Sequence, residues 1–152
     1  MKNISDHITF KEATSSPTAI RKGIDNTPDQ YQLSAMVKVS NRCFEPIRKW
    51  YGKPIKINSF FRSPELNTAI GGSNSSQHCK GEAIDIDADE DNHLLFDWIK
   101  KNLDFDQLIF EFGTDENPDW IHISYTEARP NRNEVLKAYK IDGKTIYKKI
   151  KL

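Results

Sequence analysis

The sequence has little cysteine, no long apolar run and no excess of charge of either sign. Its 152 residues include two cysteines, Cys43 and Cys79. A chain of this length buries roughly two thirds of the surface that the unfolded chain exposes, so its core can form without disulfides. We therefore expect one domain over residues 1–152, in which neither cysteine is needed as a crosslink.

The balance of charge excludes one class of partner. The 22 Lys and Arg residues match the 22 Asp and Glu residues, which gives a formal net charge of zero. Nucleic-acid binding depends on a concentrated basic surface, so we expect no nucleic-acid partner. Basic residues concentrate only near the C-terminus, where they either favour an anionic polymer or form the solvated faces of a hairpin. These lysines are Lys137, Lys140, Lys144, Lys148, Lys149 and Lys151.

Long apolar segments are also missing. No stretch approaches the roughly 20 apolar residues that a membrane-spanning helix requires. Residues 1–7 lack the apolar run of a signal peptide. We therefore expect no membrane partner, and synthesis in the cytoplasm without a signal peptide.

The spacing of apolar residues predicts an α+β fold. Apolar residues at three- and four-residue steps predict a helix up to Trp50, which Thr27 and Pro28 would begin and Gly52 would end. Further helices are predicted at 65–70 and 94–103, strands at 54–59, 83–87, 107–112 and 120–125, and a closing hairpin at about 133–150. The elements follow no regular strand–helix repeat, so we expect an antiparallel sheet flanked by helices.

Histidine is scarce too, with four in the chain, and two of them have suggestive neighbours. His78 lies in a polar loop, and Asp85 follows seven residues later on a predicted strand, with Gly81 allowing a sharp turn between them. The chain can therefore bring both side chains to one point, and His122 on a later strand offers a third ligand. Two imidazoles and one carboxylate, with a fourth position open to water, form the ligand set of a catalytic zinc site.

Three segments carry a family resemblance. Residues 76–85 read Ser-Gln-His-Cys-Lys-Gly-Glu-Ala-Ile-Asp, residues 119–122 read Asp-Trp-Ile-His, and residues 59–67 read Ser-Phe-Phe-Arg-Ser-Pro-Glu-Leu-Asn. They resemble the motifs of the zinc D-alanyl-D-alanine carboxypeptidases, vancomycin-resistance dipeptidases and phage L-alanyl-D-glutamate endopeptidases, which share the hedgehog/DD-peptidase fold. The chain departs from that pattern in having two residues between His78 and Gly81, and a cysteine beside the motif histidine.

The resemblance implies a phage or prophage zinc peptidase that hydrolyses an amide bond in peptidoglycan stem peptides. It implies zinc ligation by His78, Asp85 and His122. Arg62 would polarise or anchor the substrate, because its guanidinium is a planar fork of donors suited to an oxyanion or a carboxylate. Ser76 would either orient the substrate or cap its own loop. We expect a monomer that acts on the cell wall after release through a phage pore.

Two carboxylates compete for the role of general base, which the resemblance assigns to Asp119. Asp119 and His122 are an odd number of positions apart, so in an unbroken strand they would face opposite sides. Pro118 and the preceding loop favour a position of Asp119 before the strand, where its side chain can turn toward the metal. Glu111 on a neighbouring strand is the alternative base, or a structural partner of the site.

Two other classes of function remain open in the sequence. One is a zinc-binding module without catalysis, as in the hedgehog branch of the fold. The acidic residue Asp119 argues against it, because a structural zinc needs no base and normally has four protein ligands. The other is a protein that binds anionic polymers through residues 132–152. The sequence also leaves open whether a peptidase of this kind would act as a carboxypeptidase or as an endopeptidase.

Overall fold

A computed structural model describes residues 2–150, in which a six-stranded sheet carries helices on one face. The α+β prediction is therefore confirmed. The helices are α1 (Phe10–Thr14), α2 (Pro17–Lys22), α3 (Gln30–Val39), α4 (Glu45–Tyr51), α5 (Pro64–Ala69) and α6 (Asn92–Asn102). The strands are β1 (Asn3–Ser5), β2 (Ile8–Thr9), β3 (Lys56–Ser59), β4 (Ala83–Asp87), β5 (Gln107–Glu111), β6 (Trp120–Ser124), β7 (Glu134–Ile141) and β8 (Lys144–Lys149).

The sheet is mixed, whereas the sequence predicts an antiparallel one. Its strand order is β3-β4-β6-β5-β7-β8, and every neighbouring pair is antiparallel except β5 and β7. The chain leaves β6 at the end of the sheet where β5 begins, and residues 125–133 carry it past β5 before β7 starts. Strand β7 therefore runs in the same direction as β5.

The long helical segment differs in detail from its prediction. Asp29, not Thr27, caps α3, because its side chain accepts a hydrogen bond from the backbone of Gln32. A π-helical segment, Ser40–Phe44, joins α3 to α4. Pro46 is the second residue after this segment and has no backbone N–H to continue a regular helical ladder.

Side chains that alternate between the two faces of the sheet place the core on one face and the site on the other. Ile84 and Ile86 of β4 and Ile121 and Ile123 of β6 are fully buried against the helices. Because successive side chains of a strand point to opposite faces, Asp85 between them points to the other face. That face is open to a cleft in its middle.

The cysteines, the helix lengths and the edge strand β8 complete the fold. Cys43 and Cys79 are both free thiols, as expected of a core that needs no crosslink. Among residues 2–150, no helix is both long enough and apolar enough to cross a membrane. Strand β8 forms one edge of the sheet and all six of its residues are exposed, while Lys151 lies outside the described residues.

Candidate metal centre and cleft

Three separate elements bring the predicted metal ligands together. His78 lies in a short 3₁₀ helix, Gln77–Lys80, whereas Asp85 and His122 are directly paired across β4 and β6. Each of the three offers a ligand atom, and these atoms lie within 4.8 Å of one another. The two rings meet edge to face with centroids 5.2 Å apart.

Local hydrogen bonds fix the position of His78. The Ser76 hydroxyl accepts a hydrogen bond from the backbone N–H of His78, so Ser76 caps this turn. Gly81 ends the turn with φ +75°, and a Cβ there would lie 2.3 Å from the backbone oxygen of Gln32. Only glycine fits this position, which confirms the sharp turn predicted between His78 and Asp85.

The ring nitrogens of His78 have different surroundings. Nδ1 lies 2.7 Å from the backbone oxygen of Phe60, which can only accept a hydrogen bond, so Nδ1 carries the hydrogen. Nε2 is buried without a hydrogen-bond partner among the described residues, 3.3 Å from Asp85 Oδ2. Burial lowers the pKa of His78. A neutral ring therefore directs its lone pair at a carboxylate, an arrangement that a bound cation would stabilise.

The carboxylate of Asp85 is held in its charged form. Burial alone would raise the pKa of Asp85, but the adjacent imidazoles of His78 and His122, and the hydrogen bond from His122 Nδ1 to Asp85 Oδ1, hold that pKa well below its usual range. Arg62 also contacts this group, with NH2 3.3 Å from Asp85 Oδ2. Nε of Arg62 donates to Ser59 and Nη1 donates to Asn67, so two of its five N–H groups bind no protein group. Arg62 is therefore tied to a ligand carboxylate, although the guanidinium still lines the cleft.

Asp119 lies directly before β6, as Pro118 suggested. Its backbone N–H donates to the backbone oxygen of Glu111, and its carbonyl accepts from the side chain of Asn92. The residue is exposed and lines the cleft, but it lies outside the cluster of ligand atoms. The structure thus holds the backbone of Asp119 and leaves its carboxylate facing the cleft.

Glu111 is the second carboxylate beside the ligands. It is 7 % exposed and pairs with Trp120 across β5 and β6, two rows from the pair of Ile109 and His122 and therefore on the same face of the sheet. Burial raises the pKa of Glu111 to about 7, and the charges of His122, Asp85 and Arg62 modify it further. Within the described residues its carboxylate makes no side-chain hydrogen bond. Glu111 can therefore carry a proton near neutral pH.

The sequence model described as Peptidase M15 matches residues 6–124, more than half of the chain. The chain belongs to the M15 peptidases. Peptidases of this family are zinc-dependent hydrolases, and the cluster of two histidines and one aspartate fits that requirement. No curated protein matches the chain.

The cleft of this M15 peptidase has a volume of about 1420 Å³. Arg62, Ser76, Glu111 and Asp119 line it together with the three ligands, and Tyr147 lines it from β8. This volume exceeds the roughly 300–1,000 Å³ typical of small-molecule sites, so the cleft has room for an extended peptide.

Sequence reasoning missed several residues that shape the site of this M15 peptidase. The amide of Asn92, which is fully buried, donates to the backbone oxygens of Pro118 and Asp119 and to the side chain of Asp87. The position of Asn92 at the start of a helix gave no signal for this, because its partners follow more than 20 residues later. The sequence predicts only that Tyr147 lies on a hairpin strand. It does not show that the side chain faces the cleft, because this depends on the strand register.

Proposed function

We propose that this M15 peptidase uses zinc to hydrolyse an amide bond in the stem peptides of bacterial peptidoglycan. The observation that carries the proposal is the buried Nε2 of His78, which faces the Asp85 carboxylate at 3.3 Å without a hydrogen-bond partner among the described residues. His122 completes a set of three ligands. Three protein ligands with one position left for water are typical of catalytic zinc, whereas structural zinc normally has four.

His78, Asp85 and His122 would hold the metal. When bound, zinc supplies a Lewis acid that polarises the scissile carbonyl and makes a water molecule more acidic. The hydrogen bond from His78 Nδ1 to Phe60 keeps the other ring nitrogen directed at the metal position. Arg62 keeps Asp85 oriented, and its N–H groups that bind no protein group would donate to the developing oxyanion or to a substrate carboxylate.

Asp119 is the proposed general base. Its carboxylate would take a proton from the attacking water and deliver that proton to the nitrogen of the leaving amine. Asn92 and the backbone of Glu111 hold its peptide group in position. Glu111, which is protonated in part near neutral pH, would instead bind a polar group of the substrate. Ser76, which caps the turn of His78, would contact the substrate from the rim of the cleft.

The site of action that we propose is the cell wall, reached through a phage-encoded pore. In bacteria that express the protein internally, lysis should then require a co-expressed pore-forming protein, and lysis without one would contradict this route. We also propose that the protein acts as a monomer, because all ligands and the proposed base come from one chain. Light scattering at working concentration tests that state.

The decisive experiment is mass spectrometry of purified peptidoglycan fragments after incubation with the zinc-loaded protein. We expect one amide bond of the stem peptide to be cleaved, and the masses of the products to identify a carboxypeptidase or an endopeptidase. The His78→Ala protein is the matched control and should release no product. Intact fragments after incubation with a protein that binds one zinc would instead indicate a zinc-binding module without catalysis.

A further inference from the structure

One row of directly paired residues crosses the cleft face of the sheet. Trp120 on β6 pairs with Glu111 on β5, Glu111 with Ala138 on β7, and Ala138 with Tyr147 on β8. Directly paired residues have side chains on the same face, so all four point toward the cleft. Ala138 in the middle is buried and small, so the row places no large side chain between Glu111 and Tyr147.

The floor beside this row is apolar. Ile109, Leu136 and Ala138 form a hydrophobic cluster of their own, separate from the main core, and Phe112 packs against it. At the β6 end of the row, Trp120 contacts Phe112 with ring centroids 5.4 Å apart. The cleft therefore continues past the predicted metal ligands as a channel over this apolar cluster, between two aromatic side chains, and Lys140 and Thr145 also line it.

Tyr147 closes the far side of this channel. It is 52 % exposed, which leaves a large aromatic surface open to the cleft. Partial burial of its side chain raises the pKa of Tyr147, and the charges of Glu111 and Asp85 raise it further. The phenol thus keeps its hydrogen and can donate it. Residue 147 also lies outside the segment that matches the family, residues 6–124, so family membership assigns it no role.

The width of the sheet gives the length of a ligand that would reach Tyr147. Strand β8 is three strand positions from β6, which carries His122. Neighbouring strands lie about 4.8 Å apart, so this separation is about 14 Å. An extended peptide covers at most about 3.3 to 3.6 Å per residue, so about four residues span the channel. A dipeptide covers at most about 7 Å, about half of this separation between the strand backbones.

We propose that Tyr147 is a substrate-positioning residue that binds a stem peptide several residues away from the scissile bond. The preferred substrate is then a peptide of about four or more residues and not a free dipeptide. This inference rests on the proposed peptidase function, and it deepens that function by assigning a substrate length and a contact from the C-terminal hairpin.

The test compares one long substrate with two short ones. The zinc-loaded protein is given the pentapeptide L-Ala–D-Glu–L-Lys–D-Ala–D-Ala and the dipeptides L-Ala–D-Glu and D-Ala–D-Ala. We expect kcat/KM for the pentapeptide to exceed that for the better dipeptide by at least about tenfold. In Tyr147→Ala this ratio should fall to about one, mainly through a higher KM for the pentapeptide, since truncation of an aromatic anchor typically weakens binding by about this factor.

Ile146→Ala is the control variant. Ile146 lies on the same strand and pairs with Tyr139 on the opposite face of the sheet, so its removal should leave the ratio at the wild-type value. Zinc content and circular dichroism of all variants report the fold. If Tyr147→Ala misfolds, Tyr147→Thr, which places a β-branched residue with high strand propensity at this position, takes its place.

Equilibrium binding of the same peptides to the metal-free protein, followed by tryptophan fluorescence, separates the two proposals. Cleavage without a length preference, or with a preference that Tyr147→Ala leaves intact, would overturn the role of Tyr147 and leave the peptidase function standing. Tighter binding of the pentapeptide that depends on Tyr147, without cleavage of any peptide, would overturn the peptidase function and support the channel.

Discussion

His78 Nδ1 lies 2.7 Å from the backbone oxygen of Phe60, and this contact determines which nitrogen of the imidazole is available to a metal. Phe60 directly follows β3, the strand next to β4, which carries Asp85. The adjacent strands β3 and β4 therefore position two predicted ligands: β4 carries Asp85, and the backbone of Phe60 after β3 orients His78. A ring that is fixed in this way loses little conformational entropy when it binds a metal.

We expect the purified protein to bind one zinc, and His78→Ala, Asp85→Ala and His122→Ala each to lose it. Elemental analysis of the purified variants measures this directly. His93→Ala is the control, because His93 is exposed and lies outside the cluster, and this variant should keep its zinc. Because the ligands come from three elements, chelation should also lower the melting temperature. Full zinc content in all three ligand variants would show that the metal binds elsewhere.

Asp119→Asn should keep its zinc and lose most of its turnover. The amide keeps the size of the carboxylate but cannot accept the proton, and general-base catalysis typically contributes about 10²- to 10⁴-fold. Steady-state kinetics on a stem peptide should show this loss in kcat, with little change in KM. Glu111→Gln is the paired variant, with a smaller expected loss. A larger loss in Glu111→Gln than in Asp119→Asn would transfer the role of base to Glu111.

Asn92→Ala should reduce both stability and turnover while zinc stays bound. The substitution removes the hydrogen bonds from Asn92 to two backbone oxygens and to Asp87, and it removes the acceptor of the Ala88 N–H. We expect the free energy of unfolding to fall by about 1–3 kcal/mol in denaturant titrations. Turnover should fall because the peptide group of Asp119 is less firmly held. Asn102→Ala, at the exposed end of the same helix, should change neither strongly.

Glu111 should make the metal-free protein less stable at high pH. Its pKa rises from an ordinary 4.5 to about 7 on folding, so the folded state favours the protonated form. The resulting stabilisation is complete below pH 4.5 and is lost as the pH rises through about 7. At about 1.4 kcal/mol per pKa unit, the loss amounts to about 3 kcal/mol. Unfolding free energies at several pH values, compared between wild type and Glu111→Gln, should differ in slope over this range. Parallel curves would contradict the prediction.

The ligand cluster could be predicted from sequence because its geometry is largely local. A histidine, a glycine turn and a strand aspartate within eight residues determine how His78 approaches Asp85, and strand alternation determines the face. The position of Asp119 before β6 follows from Pro118 in the same way. The hydrogen bond from Arg62 to Asp85 could not be predicted, because a sequence motif identifies a residue but does not indicate its hydrogen-bond partners.

Other parts of the fold depend on pairing between distant segments. The parallel contact of β5 with β7 follows from the path of residues 125–133, which carry no periodic signal. The same contact determines that Tyr147 faces the cleft. The short elements β1, β2, α1 and α2 were missed for a different reason, since they are too short for a period to be recognised. A local signal was nevertheless present, because Thr9 and Glu12 form a capping box at the start of α1.

The sheet ends on β8, whose outer backbone edge is free to pair with another extended chain. Lys144, Lys148 and Lys149 lie on this strand, and all of its residues are exposed. A second copy that approached edge to edge would bring two rows of like charge together before any backbone hydrogen bond could form. The lysines near the C-terminus therefore protect the molecule against aggregation by strand addition, on the same strand whose other side chains reach into the cleft.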